Sequence, residues 1–164
     1  MPDKGRRSVV IGIGNPDRGD DSAGRAVARW LDGKLPPDVE ILEHDGEPAS
    51  LLDRLEGVAT AYLIDACTSG AAIGAVQRFD VTAVPLPQEA FSVSTHGLGL
   101  AEAVELARAL GQLPDRCVVY AIEGGSFETG APPSPPVVQA TAEVGRRLQE
   151  EICGADATEG RIDA

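Results

Sequence analysis

Short apolar runs alternate along this chain with segments whose apolar residues recur at helical spacing, and this alternation constrains the fold most strongly. The run SVVIGI at Ser8–Ile13 is continuous and rich in β-branched residues, as expected for a strand buried on both faces of a parallel sheet. The next segment, 21–31, carries a stripe of apolar residues typical of a helix packed on one side. The alternation predicts one α/β domain with three α/β/α layers, in which helices cover both faces of a mostly parallel, twisted sheet of about five strands.

The remaining elements follow the same alternation. We predict strands over 39–42, 61–64, 76–81 and 117–122, and helices over 49–55 and 98–110. Segment 76–81 alternates apolar and polar residues, which favours an edge or antiparallel strand. The stretch PPSPP precedes a last helix, with Ser134 as its cap and Pro135 at its first position. We expect the domain to span 1–153 and the polar segment 154–164 to be a flexible tail.

Charge and cysteine content narrow the classes of partner. The chain has 164 residues and a formal net charge of −12, which repels nucleic-acid phosphates and anionic lipid. We therefore expect neither a nucleic-acid nor a membrane partner. The three cysteines are far apart and contain no CxxC pair, which indicates a reducing cytoplasm and neither a disulfide framework nor a thiolate metal site. We expect a cytoplasmic monomer whose surface also suits a basic protein partner.

The segment GIGNPDRGDDSAG, at 12–24, joins the first strand to the first helix. In a parallel sheet such loops lie at the carboxyl ends of the strands, where functional side chains collect. Gly12 and Gly14 permit a tight turn and a close approach of the backbone. Asp20 and Asp21 occur at the helix start, where free N–H groups and the helix dipole favour carboxylates. Because adjacent helical residues point about 100° apart, we expect Asp20 to cap the helix and Asp21 to face a site.

Two more polar residues fall at the same predicted edge. Asp65 follows the apolar run AYLI, where a carboxylate is costly to bury unless it binds a cation or accepts hydrogen bonds from the next loop, at 68–70. His96 lies in STHGLGL just before a predicted helix, although a single loop histidine is also consistent with an ordinary hydrogen-bonded residue. His44, at the end of the second strand, is given no catalytic role.

Asp21, Asp65 and His96 together form a candidate metal site. Oxygen and imidazole ligands suit Zn, Ni or Mn, and three protein ligands leave a coordination position open. The spacing alone does not select the metal.

Three segments, GIGNPDRGDD, LIDA and STHGLGLAEAVELARALG, resemble in this order the [NiFe]-hydrogenase maturation protease family. The likeness covers the chain apart from its termini and includes the strand VVYAIEG. It implies a hydrolase, an endopeptidase that removes the C-terminal extension of the [NiFe]-hydrogenase large-subunit precursor after nickel insertion. It also implies that Asp21, Asp65 and His96 bind metal. Ser22 departs from the family pattern, in which many members have glycine after the acidic pair.

Two mechanisms remain open at this point. In the first, the three residues bind a cation such as Zn that polarises the scissile carbonyl or activates water. Asp20 is then a candidate base, and Asp20 and Asp21 are the candidate catalytic residues of an aspartic-type-like endopeptidase. In the second, the residues engage the substrate's own nickel, and the protease recognises a loaded precursor. The resemblance favours the second mechanism.

Other classes of function are also open. A non-catalytic chaperone that senses metal would bind the immature subunit without releasing a peptide. A peptidyl-tRNA hydrolase shares the glycine turn but needs a histidine after it and a basic face, and a Rossmann module needs a third glycine. A cysteine peptidase would use Cys67 with His96, unless Cys67 is simply a small buried residue. Substrate specificity is expected in the loops 68–74 and 126–136.

Overall fold

Five strands form one sheet in the computed structural model, which describes residues 7–91 and 99–162. The strands are β1 (Ser8–Ile13), β2 (Val39–His44), β3 (Thr60–Cys67), β4 (Val76–Asp80) and β5 (Arg116–Glu123). Their order across the sheet is β2-β1-β3-β5-β4. All neighbours are parallel except β4, which pairs antiparallel with β5 at one edge. The predicted mostly parallel sheet is confirmed, as is the antiparallel edge strand.

Four helices cover the two faces of this sheet in the described part of the chain. One face packs against α1 (Ala23–Leu31) and α4 (Pro135–Ile162), and the other against α2 (Pro48–Leu55) and α3 (Leu100–Ala109). Aliphatic side chains fill both cores, because the central strands β1, β3 and β5 are largely apolar on both faces. The three-layer architecture is therefore confirmed. None of the described helices combines the length and the apolarity needed to span a bilayer.

The observed elements differ from the predicted ones mainly at their ends. Asp65 lies inside β3 and pairs opposite Ala121, because β3 follows the long strand β5 to its end. The helix predicted from residue 21 begins instead with a 3₁₀ turn, Gly19–Ser22. In this turn the Ser22 hydroxyl donates to the Gly19 carbonyl at 2.8 Å.

The start of α4 agrees only in part with the prediction. Pro135 is its first residue, as predicted. Ser134 lies directly before it as predicted, and its carbonyl accepts from the Val138 N–H at 3.0 Å, whereas its hydroxyl donates to the Asp20 carboxylate at 2.8 Å. At the other end, the helix continues past Gly154 to Ile162. The domain boundary at residue 153 stays a prediction.

The contact between α1 and α4 gives a test of the packing. A Cβ at Gly145 would lie 2.3 Å from the Trp30 ring, whereas a Cβ at Gly154 meets nothing within 4 Å. We expect Gly145→Ala to lower the free energy of unfolding by about 1–3 kcal/mol, because overpacking outweighs the helix-propensity gain. Gly154→Ala, in the same helix, should raise it by up to about 1 kcal/mol. Urea unfolding of both variants measures the difference, and a stabilised Gly145→Ala would contradict the packing described.

Candidate active site

A small pocket opens at the carboxyl ends of β1, β2 and β3. Its cavity of about 30 Å³ has room for an ion or a water molecule. The carboxylates of Asp21 and Asp65 both line it, so the structure brings together two of the three predicted ligands. The third, His96, lies outside the described residues. The full lining consists of Ile13, Gly14, Asp21, Asp45, Gly46, Leu51, Asp65, Ala66, Phe91 and Leu100.

A tight backbone turn places Asp21 in the pocket. Gly14 has a φ of +144°, and a Cβ there would lie 1.9 Å from the Asp21 carbonyl oxygen, so only glycine fits. The Gly14 N–H donates to the His44 carbonyl at 2.9 Å, and Arg25 Nε donates to the Gly14 carbonyl at 2.6 Å. The Asn15 N–H donates to Asp21 Oδ2 at 3.0 Å. The glycine turn predicted from the sequence thus fixes the first carboxylate directly.

Two of the pocket carboxylates, Asp21 and Asp65, repel each other electrostatically. Burial, and then the negative charge of Asp21, raise the pKa of Asp65 well above its ordinary value, against one hydrogen bond from the Ala66 N–H at 2.8 Å. Burial also raises the pKa of Asp21, although the Asn15 N–H and the nearby Arg18 and Arg25 oppose the shift. Two partly buried like charges resist ionising together unless a cation or a shared proton lies between them.

Asp20 points away from the pocket. It is fully buried, and its carboxylate accepts from the N–H groups of Gly125 at 2.8 Å, Ser126 at 3.0 Å and Ser134 at 2.6 Å. Burial alone would raise the pKa of Asp20, but these bonds outweigh it and hold the pKa below its ordinary value. The prediction that Asp20 caps its own helix is wrong, because its carboxylate oxygens accept hydrogen bonds from residues 125–134 instead. These bonds engage both oxygens of the Asp20 carboxylate, and its role as a base stays a prediction.

Glu123 is a second buried carboxylate, and the sequence reasoning missed it. At the end of β5 it accepts from the N–H groups of Ser69 at 2.8 Å and Gly70 at 2.9 Å, and from the Ser69 hydroxyl at 2.9 Å. Burial would raise its pKa, but these bonds and one from Cys67 hold it below its ordinary value. The loop expected to satisfy Asp65 is thus held by Glu123. The sequence signal that could have identified Glu123 is a charged residue at the end of an apolar strand, as for Asp65.

Cys67 is unsuited to act as a nucleophile. Its side chain is buried, and its thiol donates to Glu123 Oε2 at 3.2 Å. Burial and the neighbouring carboxylate raise its pKa, so the reactive thiolate is disfavoured. The geometry favours the alternative that Cys67 is a small buried residue.

His44 has a structural role beside the pocket. Its Nδ1 accepts from the Gly46 N–H at 2.9 Å, which places the ring proton on Nε2, 3.0 Å from the Ser50 hydroxyl. Burial, as the largest influence, lowers its pKa, so the ring is neutral at pH 7. His44 thereby orients Gly46 and its neighbour Asp45, both of which line the pocket.

The described residues supply some ligands that suit a metal ion, but too few of them to form a metal site. Among the described residues, no group of three His, Cys, Asp or Glu side chains is close enough to hold an ion. Asp21 and Asp65 supply oxygen ligands, the chemistry that divalent cations accept, in a pocket whose electrostatics favour positive charge. The residues present therefore fit a divalent cation as part of a larger ligand set.

The fold and the pocket define an α/β protein with an acidic site at the carboxyl edge of its sheet. Residues 27–151 match the family model described as hydrogenase maturation protease. The chain belongs to this hydrogenase maturation protease family and is a peptidase. No curated protein sequence matches the chain.

Solved structures support the family assignment. The [NiFe] hydrogenase maturation protease HycI from Thermococcus kodakarensis is 29% identical, with a TM-score of 0.70 over 88% of this chain and 90% of that one. The hydrogenase maturating endopeptidase HybD from E. coli is 26% identical, with a TM-score of 0.68 over 88% and 93%. An endopeptidase from Escherichia coli is 25% identical, with a TM-score of 0.72 over 87% and 88%.

The hydrogen bonds of Glu123 predict a pH-dependent stability. Because its pKa is lower in the folded state, ionised Glu123 stabilises the fold above the pKa of an unfolded glutamate, and this contribution is lost as pH falls through the folded value. We expect Glu123→Gln to lower the free energy of unfolding by about 1–3 kcal/mol at pH 7. The difference from wild type should shrink in acid. Urea unfolding across pH tests this, with the exposed Glu128→Gln as a control that should change little. A constant difference at all pH values would contradict the account.

Proposed function

We propose that this peptidase removes the C-terminal extension of a [NiFe]-hydrogenase large-subunit precursor after nickel insertion. The observation that carries the proposal is the pair Asp21 and Asp65 in one pocket, where burial raises the pKa of both carboxyls and the charge of Asp21 raises that of Asp65 further. Such a pair suits either a bound cation or a shared proton, and both are used to hydrolyse peptide bonds. The family supplies the kind of reaction, and the pair supplies the chemistry for it.

In the preferred version of the mechanism, Asp21, Asp65 and His96 engage the nickel that the precursor already carries. When bound, the metal would supply positive charge that balances the pair and would polarise the scissile carbonyl. Asp21 is positioned for this role by the Asn15 N–H and the Gly14 turn. Asp65 is positioned by β3, whose pairing with β5 extends on both sides of it. Zn or another divalent cation would occupy the same ligands in the isolated protein.

The raised pKa of Asp65 favours a second version, in which no metal takes part in the chemical step. One of the two carboxyls is then protonated and hydrogen-bonds to the scissile carbonyl oxygen. The other carboxylate accepts a proton from the attacking water, as in aspartic-type catalysis. Both versions place the reaction on Asp21 and Asp65, and neither uses Asp20.

We further propose that the protein acts as a cytoplasmic monomer. All three cysteines, Cys67, Cys117 and Cys153, are free thiols, as suits a reducing compartment. The net charge of −12 opposes close association of two copies.

Site variants test the proposed function. Mass spectrometry of nickel-loaded large-subunit precursor should show release of a single C-terminal peptide by the wild-type protein. We expect Asp21→Asn, Asp65→Asn and His96→Ala each to slow this release by about 100-fold or more, as expected for loss of a group that acts on the reacting atoms. Asp17→Asn is the matched control, because Asp17 is an exposed carboxylate in the same loop and does not line the pocket.

The outcomes of this experiment separate the alternatives. Cleavage at the wild-type rate by Asp65→Asn would remove the acidic pair from the mechanism. Cleavage by His96→Ala alone would discard that ligand and keep the pair. Binding of the precursor by the wild type with no peptide released would favour the metal-sensing chaperone.

A further inference from the structure

We propose that the loops 68–74 and 124–138 form one docking platform, which binds an uncharged, apolar surface on the body of the large-subunit precursor. The inference rests on the proposed function and adds to it the surface that selects the substrate. The acidic pocket has room for an ion or a water molecule, which leaves recognition of a folded protein to another surface.

The docking platform differs from the rest of the chain in charge. Charged residues make up 24% of the whole sequence, yet the platform contains only one, Glu128. A loop that merely faces water has no need to avoid charge, and protein surfaces with few charges are typical of the centres of interfaces.

The platform also exposes large apolar side chains. Ile73 is 47% exposed and Val138 is 50% exposed. Four prolines between them in sequence are exposed too: Pro132, Pro133, Pro135 and Pro136. Clustered exposed apolar residues mark interaction sites more often than scattered ones do.

The two loops touch, so that these residues form one surface. The terminal methyl of Ile73 lies over Gly125, where a Cβ would come within 2.4 Å of it. Gly74 lies equally close to Pro136, whose carbonyl oxygen would be 2.7 Å from a Cβ there. Val138 follows two residues later in the first turn of α4. The apolar residues of both loops therefore lie side by side.

The platform is held rigid by the two buried carboxylates. Asp20 accepts three N–H groups from residues 125–134, and Glu123 accepts two from Ser69 and Gly70. A surface fixed before binding loses little conformational entropy on binding, which favours recognition of a folded partner.

The same carboxylates tie the platform to the pocket. Asp20 is the neighbour of Asp21, and Glu123 accepts from Cys67, two residues beyond Asp65. A partner seated on the platform is thereby held at a fixed position relative to both pocket carboxylates. This continuity favours the precursor as the occupant. A second copy of this chain is disfavoured, because each copy carries a charge of −12.

The test removes the apolar side chains without adding charge. We compare Ile73→Ser, Val138→Ser and the double variant with wild type, using nickel-loaded large-subunit precursor as the probe. Leu110→Ser is the matched control, because Leu110 is 57% exposed and precedes Gly111, which lies near the residues before β3 and β5, at the amino ends of these strands. We expect the double variant to raise KM and the Kd for the precursor by about tenfold or more, with kcat changed little. The control variant should have the same KM, Kd and kcat as the wild type.

Each other outcome overturns a defined part of the account. Unchanged KM and Kd in both single variants and the double variant, with normal cleavage by wild type, would overturn the docking platform and keep the proposed function. A changed oligomeric mass with unchanged KM would assign the surface to contact between copies and overturn the inference equally. Failure of the wild type to bind or cleave the precursor would overturn the proposed function, and the inference with it. Urea unfolding verifies that each variant is folded.

Discussion

Two buried carboxylates, Asp20 and Glu123, hold together the functional edge of this fold. Each lies at the end of the sheet and accepts several N–H groups from loops far away in sequence. A buried carboxylate without hydrogen bonds would be strongly unfavourable. The loops that donate these bonds are therefore held in the conformations that satisfy the two carboxylates. These hydrogen bonds hold residues 69–70 and 125–134 against the carboxyl end of the sheet.

Four of the carboxylates at this edge divide into two pairs with opposite pKa shifts. Asp20 and Glu123 have their hydrogen bonds satisfied, and their pKa values are held below the ordinary range. Asp21 and Asp65 accept one backbone hydrogen bond each among the contacts described, and their pKa values are raised. The first pair stabilises the scaffold, and the second pair keeps the capacity to bind a cation or a proton. The carboxylates that hold the loops in place are therefore different residues from those that are proposed to react.

The sequence was sufficient for the features that depend on local pattern. Apolar periodicity predicted the layers and the antiparallel edge strand, and the glycine turn predicted a tight approach of the backbone beside Asp21, which the structure has. It was insufficient for Asp20 and Glu123, whose partners lie as far as 114 and 54 positions away. No local spacing encodes such a pairing, so a capping role for Asp20 was the natural but wrong expectation. The extra length of β3 was missed for a related reason, because it comes from pairing with β5.

On the proposed function, Asp21 and Asp65 act on a precursor through the nickel that it carries. The most direct measurement compares the rates at which wild-type protein cleaves nickel-loaded and nickel-free forms of the same large-subunit precursor, followed by mass spectrometry. The account predicts release of the C-terminal peptide from the loaded form and little or none from the nickel-free form. Equal rates for the two forms would contradict it and would leave the shared-proton mechanism of the acidic pair.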